Sequence, residues 1–165
     1  MIEIEIQKHH IDKAKAMADD MGILNNSIMN GKGNIYGFLG EIILSEILNL
    51  KQCNTYDYDL VTPNGKTVDV KTKKTKMKPL PYYECSIAAY NTTQSCDYYA
   101  FCRIDNSMNY LWFLGIIDKT LYFNKARFLK KGQQDGDNGF IVRADCYNLS
   151  IEYIWNETKK QLGIS

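Results

Sequence analysis

The chain has almost no net charge: 20 lysines and arginines stand against 19 aspartates and glutamates, giving +1 at pH 7. A uniformly basic nucleic-acid coat is thereby excluded, and any phosphate-binding surface has to be a local patch. Paired cysteine spacing is missing too. Cys53, Cys85, Cys96, Cys102 and Cys146 are odd in number, scattered and without a CxxC pair, which argues against a disulfide framework or a cysteine zinc site and for buried free thiols in a reducing compartment. The start, MIEIEIQKHH, has no basic leader region and no long apolar run after it. Neither a signal peptide nor a membrane span is expected, and the chain reads as soluble and cytoplasmic. Internal repeats, heptads, low-complexity tracts and a helix-turn-helix signature are absent as well.

What is there is a sequence of 165 residues, 45% hydrophobic, with 12 tyrosines. That is enough to bury a sizeable core in one domain spanning 1–165. Ile2, Ile4 and Ile6 alternate with Glu3 and Glu5 as in a half-buried strand, and 11–22 has the spacing of an amphipathic helix. Residues 25–33 read as a loop. NIYGFLGEIILSEIL (34–48) is a second helix whose apolar stripe is Ile35, Phe38, Leu39, Ile42 and Ile43. On its other face Gly37, Glu41 and Ser45 share a ridge with Gly40 beside them, so small residues let the helix approach a sheet with a carboxylate in the gap. Segments 82–90, 97–104 and 110–118 read as strands. A short helix near 121–129, a loop at 133–139, a strand and a terminal helix follow. Helices first and a strand-dense middle predict an α/β (α+β) fold, a mixed sheet flanked by helices.

The chemistry concentrates in YDYDLVTPNGKTVDVKTK (56–73). Pro63-Asn64-Gly65 is a turn signal that suits a three-residue hairpin loop with glycine in the left-handed position. With Thr62 and Lys66 flanking it, Asp59 falls opposite Asp69 and Asp57 opposite Lys71. A two-residue Asn64-Gly65 loop would shift the pairing by one; the longer loop is favoured because it also gathers Tyr58, Leu60, Val68 and Val70 on one apolar face. Facing carboxylates are tolerable if one holds a proton or a divalent cation lies between them, and oxygen ligands at that separation suit Mg²⁺.

Asp59, a hairpin turn, then Asp69-Val70-Lys71, preceded by a helix bearing Gly40-Glu41, resembles the PD-(D/E)XK nuclease superfamily, with Tyr58 in place of the usual proline. The likeness covers about 33–104, and the run SIMNGKGNIYGFLGE adds a general similarity to small nuclease-like proteins of phage or mobile-element origin. It implies a restriction-endonuclease-like αβββαβ core, with 1–32 an N-terminal extension and 105–165 C-terminal strands and helix. It implies a Mg²⁺- or Mn²⁺-dependent deoxyribonuclease in which Asp59, Asp69 and the Val70 carbonyl ligate metal and Glu41 does so directly or through water. Lys71 would position or deprotonate the attacking water, leaving a 5′-phosphate. Lys73, Lys74, Lys76 and Lys78, in the loop leaving the catalytic strand, would contact DNA phosphates. Lys119, Lys125, Arg127, Lys130 and Lys131 form a second basic zone, and Glu84 and Gln94 are accessory candidates. Small size favours structure-selective or weakly specific cleavage, and a homodimer would allow both strands to be cut. The rivals are a catalytically inactive nuclease-fold module that binds nucleic acid or protein, and a Holliday-junction-type resolvase. His9 and His10 are adjacent, cannot face the same way on a regular element, and are assigned no metal or catalytic role.

Overall fold

A computed structural model describes residues 1–21, 34–53, 55–135 and 139–163. The loop expected at 25–33 lies outside them. The fold is mixed α/β. A curled six-stranded sheet has the order β1-β7-β6-β4-β3-β2, formed by β1 (Ile2–Glu5), β2 (Lys51–Gln52), β3 (Leu60–Val61), β4 (Thr67–Thr75), β6 (Tyr98–Asp105) and β7 (Tyr110–Asp118). A second, antiparallel sheet has the order β5-β9-β8, from β5 (Glu84–Ala88), β8 (Arg127–Leu129) and β9 (Cys146–Ser150). The helices are α1 (Lys8–Met21), α2 (Asn34–Ile47), α3 (Lys119–Lys125) and α4 (Ile151–Leu162), none of them long and apolar enough to cross a membrane.

Alternation along β4 and β6 builds two cores. Val68, Val70, Ala100, Cys102 and Ile104 point to one face, where Phe38, Leu39, Ile42 and Ile43 of α2 cover them. Tyr99 and Phe101 point to the other, against Cys85 and Ile87 of β5 and Tyr122 of α3. The Tyr122 hydroxyl is fully buried and lies 2.9 Å from the Cys85 carbonyl and 2.7 Å from that of Tyr147, tying α3 to the second sheet. Gly40 sets how closely α2 approaches: a Cβ there would fall 2.1 Å from Thr72 Oγ1 and 2.9 Å from Cys102 Sγ. Side chains cap the later helices, Asp118 accepting from Leu121 N–H on α3 and Ser150 from Tyr153 N–H on α4.

Two expected elements are placed differently. The 82–90 strand is β5 followed by a 3-10 turn (Ala89–Thr93), and it pairs with β9, outside the main sheet. The short helix near 121–129 ends at Lys125, and 127–129 form β8. Between β4 and β6, which run parallel, the chain therefore crosses over through β5 and a 3-10 turn.

Candidate active site

Thr62 N–H donates to the Lys66 carbonyl and Gly65 N–H to that of Thr62, with Gly65 at φ 80°, so the Pro63-Asn64-Gly65 loop forms as its chemistry requires. The register follows: Leu60 pairs with Val68 and Val61 with Thr67, which sets Asp59 across from Asp69. Asp97 pins this hairpin to β6. Its carboxylate accepts from Thr67 N–H, Thr67 Oγ1 and Lys66 Nζ, and these contacts, the backbone one foremost, hold its pKa down at about 2.

Strand β3 is only two residues long and leaves β4 after Leu60. Beyond that point the β4 edge is served by a side chain: Asp59 Oδ2 accepts from Val70 N–H at 2.7 Å. In an extended strand a residue's N–H and C=O leave on the same side, so the Val70 carbonyl is aimed at the same open edge. Asp69 is 4% exposed, and its carboxyl is within hydrogen-bonding reach of that of Asp59.

The electrostatics are unfavourable as they stand. Burial pushes Asp59 up to about 7, with the negative charge of Asp69 adding to it and the Val70 and Lys71 contacts opposing. Burial likewise pushes Glu41 up to about 8, with Asp59 and Asp69 adding and a hydrogen bond from Gln52 opposing. Glu41 Oε2 and Asp69 Oδ2 are buried without a hydrogen-bond partner. Glu41 stands farther off than the aspartates: the three carboxylates do not close to within 4.8 Å of one another, a distance met among the described residues by His9, His10 and Glu46.

Lys71 Nζ lies 2.6 Å from Asp69 Oδ2, close but not aligned as a hydrogen bond, and donates to Gln94 Oε1 at 3.1 Å. Gln94 Nε2 in turn donates to the Tyr56 carbonyl, so this accessory candidate does stand beside the lysine. Asp57 does not face Lys71. The ladder stops too early for that pair, and Asp57 Oδ1 accepts from Ser95 N–H, fastening 56–58 to the end of the 3-10 turn.

The basic residues separate. Strand β4 runs to Thr75, so Lys73 and Lys74 are on it, not in the following loop, and point to opposite faces. Lys74 sits over the Tyr36 ring at 4.7 Å, and Lys78 pairs with Glu3 at 3.0 Å. Lys73 lies next to Arg103 in the register, and Lys76 is exposed. The four therefore do not form one patch. Of the second zone, Lys119 Nζ reaches the Gln94 carbonyl beside the site. Lys125, Lys130 and Lys131 are exposed, and Arg127 is engaged by Glu84 and Asp135. Glu84 shares a cleft wall with Lys71, but both its oxygens are taken by Arg127 and Asn148, which leaves it a structural acid.

His9 and His10 do converge, with ring centroids 4.0 Å apart, because they sit in the first turn of α1. His10 Nδ1 accepts from Gln7 N–H, so its Nε2 carries the proton and donates to Glu46 Oε2 at 2.9 Å. A nitrogen so committed is a helix cap and an inter-helix tie, not a free metal ligand.

Gln52 and Cys96 border the acids without any signal in the sequence, whereas Lys119 belongs to the expected second basic zone. Gln52 arrives on a two-residue strand, and burial, reinforced by Asp69, pushes the Cys96 thiol to about 11. No protein-family model matches the chain, and no curated protein matches it.

Proposed function

We propose that the protein is a metal-dependent nuclease hydrolysing DNA phosphodiester bonds at Asp59, Asp69 and Lys71. The observation that carries this reading is the set of buried acids at the open β4 edge, where Glu41 Oε2 has no hydrogen-bond partner and Asp69 Oδ2 has only the Lys71 ammonium beside it. Carboxylates so placed destabilise a fold unless a cation joins them. A decayed, purely structural module would have no use for that cost. The order α2-β2-β3-β4, then β6 parallel to β4, further supports a PD-(D/E)XK-like core; the departure is that β5 and a 3-10 turn stand where that core has its second helix.

The donor set fits a hard divalent cation: carboxylate oxygens and a backbone carbonyl, with the nearby Cys96 held as a neutral thiol by burial. Asp59 and Asp69 would hold it with the Val70 carbonyl, and Glu41 through its unpartnered Oε2. Mg²⁺ or Mn²⁺ bound there supplies Lewis acidity, lowering the pKa of the attacking water and offsetting charge on the scissile phosphate. Gln94 orients the Lys71 ammonium, which stabilises the negative charge that builds on the phosphate oxygens and directs the water. Lys119, anchored on the Gln94 carbonyl, adds a second positive charge to the same corner.

Plasmid and single-stranded DNA incubated with Mg²⁺, Mn²⁺ or EDTA test the reading. Wild type should cut with either metal and not in EDTA, and Asp69→Ala and Lys71→Ala should each lose on the order of 100-fold or more in rate. Equal behaviour of wild type and both variants sinks the assignment.

A further inference from the structure

The open edge of β4 is the floor of a cleft. Its walls are α2 at Gly37 and β5 at Glu84 to Ser86, and Lys71 and Lys73 project from the floor; this part encloses about 470 Å³. Lys73, Ser86 and Arg103 also line a wider, half-open chamber of about 640 Å³ that Tyr82, Tyr83 and Arg143 border. One passage thus leads from the catalytic lysine to a group of cations and aromatic rings.

Among the described residues that line that chamber, the charges are unbalanced. Its two acids, Glu84 and Asp135, both pair with Arg127. Lys73 and Arg103 are side-by-side partners in the β4–β6 register, and neither is in an ion pair among the described residues. Arg103 is only 7% exposed and is held by the Glu84 carbonyl at 3.0 Å and the Tyr83 ring at 5.4 Å. Burial, and for Lys73 the neighbouring Arg103, lowers the pKa of both. A buried guanidinium beside an exposed ammonium, with no described carboxylate paired to either, calls for an anion, as the acids at the edge call for a cation. Beside them Tyr82 is 70% exposed, its ring edge-on to Tyr83 at 5.1 Å. An exposed tyrosine next to paired cations is the combination that receives a nucleotide: phosphate on the charges, base on the ring.

We propose that this cleft is a nucleotide subsite next to the scissile position, taking one unpaired nucleotide of a single-stranded or frayed DNA strand, with its phosphate on Lys73 and Arg103 and its base against Tyr82. The volume suits a single nucleotide. A base can lie against the Tyr82 ring only after it leaves the duplex stack, which a duplex resists by a few kcal/mol and a single strand does not. The subsite therefore selects unpaired strands, and because Lys73 follows Lys71 by two residues on the same face of β4, it holds the nucleotide adjoining the one being cut. The inference rests on the nuclease reading for the position of the scissile phosphate.

The test separates binding from cleavage. Fluorescein-labelled single-stranded DNA and a hairpin duplex of matched length are titrated in EDTA, so that no strand is cut, with wild type, Lys73→Ala and Tyr82→Ala; both altered side chains are exposed, and folding is checked by circular dichroism. The single strand should bind at least tenfold tighter than the duplex. Tyr82→Ala should weaken single-strand binding about 5- to 100-fold and leave the duplex unchanged. Lys73→Ala should weaken it and reduce the salt slope by about one. Duplex bound as tightly as single strand, or no effect of Tyr82→Ala, overturns the subsite even if the protein cuts DNA. Single-strand preference lost in Tyr82→Ala, with no cleavage of any DNA in Mg²⁺ or Mn²⁺, supports the subsite and retires the nuclease reading.

Discussion

Two groups of poorly solvated acids in this molecule are treated in opposite ways. Glu84 and Asp135 surround one guanidinium: Arg127 gives Glu84 two contacts of 2.8 Å and Asp135 another, and Asn148 adds a bond to Glu84 at 3.0 Å. Glu41, Asp59 and Asp69 share one lysine, which reaches Asp69 Oδ2, and Glu41 Oε2 has no hydrogen-bond partner. The fold can therefore satisfy buried carboxylates where they tie β5 to β8 and β9. Where it leaves them in conflict, at the open edge of β4, the conflict is a sign of function.

The sharpest way to break this contrast is to neutralise one member of each group. Arg127→Met takes the shared guanidinium from two acids, and removing one partner of a buried pair costs ~3–5 kcal/mol; with Arg127 about one-third exposed, a loss of about 2–3 kcal/mol is expected. Asp59→Asn keeps an acceptor for Val70 N–H and removes a repelling charge, so in EDTA at pH 8 it should leave stability unchanged or raised by ~1 kcal/mol, while DNA cleavage disappears. Urea unfolding measures both. If Asp59→Asn destabilises as Arg127→Met does, the edge acids are structural and the contrast is lost.

A second, smaller effect is in the pH dependence. Folding raises Asp59 from 3.8 to about 7 and Glu41 from 4.5 to about 8, so the folded state holds protons that the unfolded chain has released. Stability from these groups is then greatest below about pH 4, falls as pH rises toward 8, and levels off beyond. In EDTA the melting temperature should drop by several degrees between pH 5 and pH 8, a loss of ~1 kcal/mol corresponding to about 2–4 °C in a chain of this size. Millimolar Mg²⁺ or Mn²⁺ should restore it at pH 8. An Asp59→Asn, Glu41→Gln double variant should be flatter and insensitive to metal. The same slope in wild type and double variant would place its source elsewhere.

How far the sequence disclosed this contrast follows from contact range. Pro63-Asn64-Gly65 is local chemistry, and it alone determined that Asp59 faces Asp69. Extending the same ladder to Asp57 and Lys71 failed because nothing local says that β3 stops after two residues. Glu41 could be placed because helical spacing and Gly40 are also local signals. The partners that separate the two groups are distant: Arg127 is 43 residues from Glu84, and Gln94 is 23 from Lys71. Lys73 to Lys78 looked like one patch in a row, but strand alternation sent Lys73 and Lys74 to opposite faces. The departure of β5 from the main sheet was hidden for a similar reason, since its alternation fits either sheet and only the distant β9 decides.

The smallest expected effect concerns the wall of the edge site. Gly40 has no room for a methyl group, whereas a Cβ at Gly37 would meet only Glu41 Oε1, at an ordinary 3.9 Å. Packing thus gives no reason for glycine at 37, and in a helix interior glycine costs ~0.5–1 kcal/mol relative to alanine. Gly37→Ala should accordingly gain about that much at pH 5, where Glu41 is protonated. At pH 8 the gain should shrink, because the added methyl shields from water a carboxylate that is then ionised. Melting curves in EDTA at the two pH values read the difference. A gain of equal size at both would mean that Glu41 does not sense the cleft at Gly37, and would detach it from the group at the β4 edge.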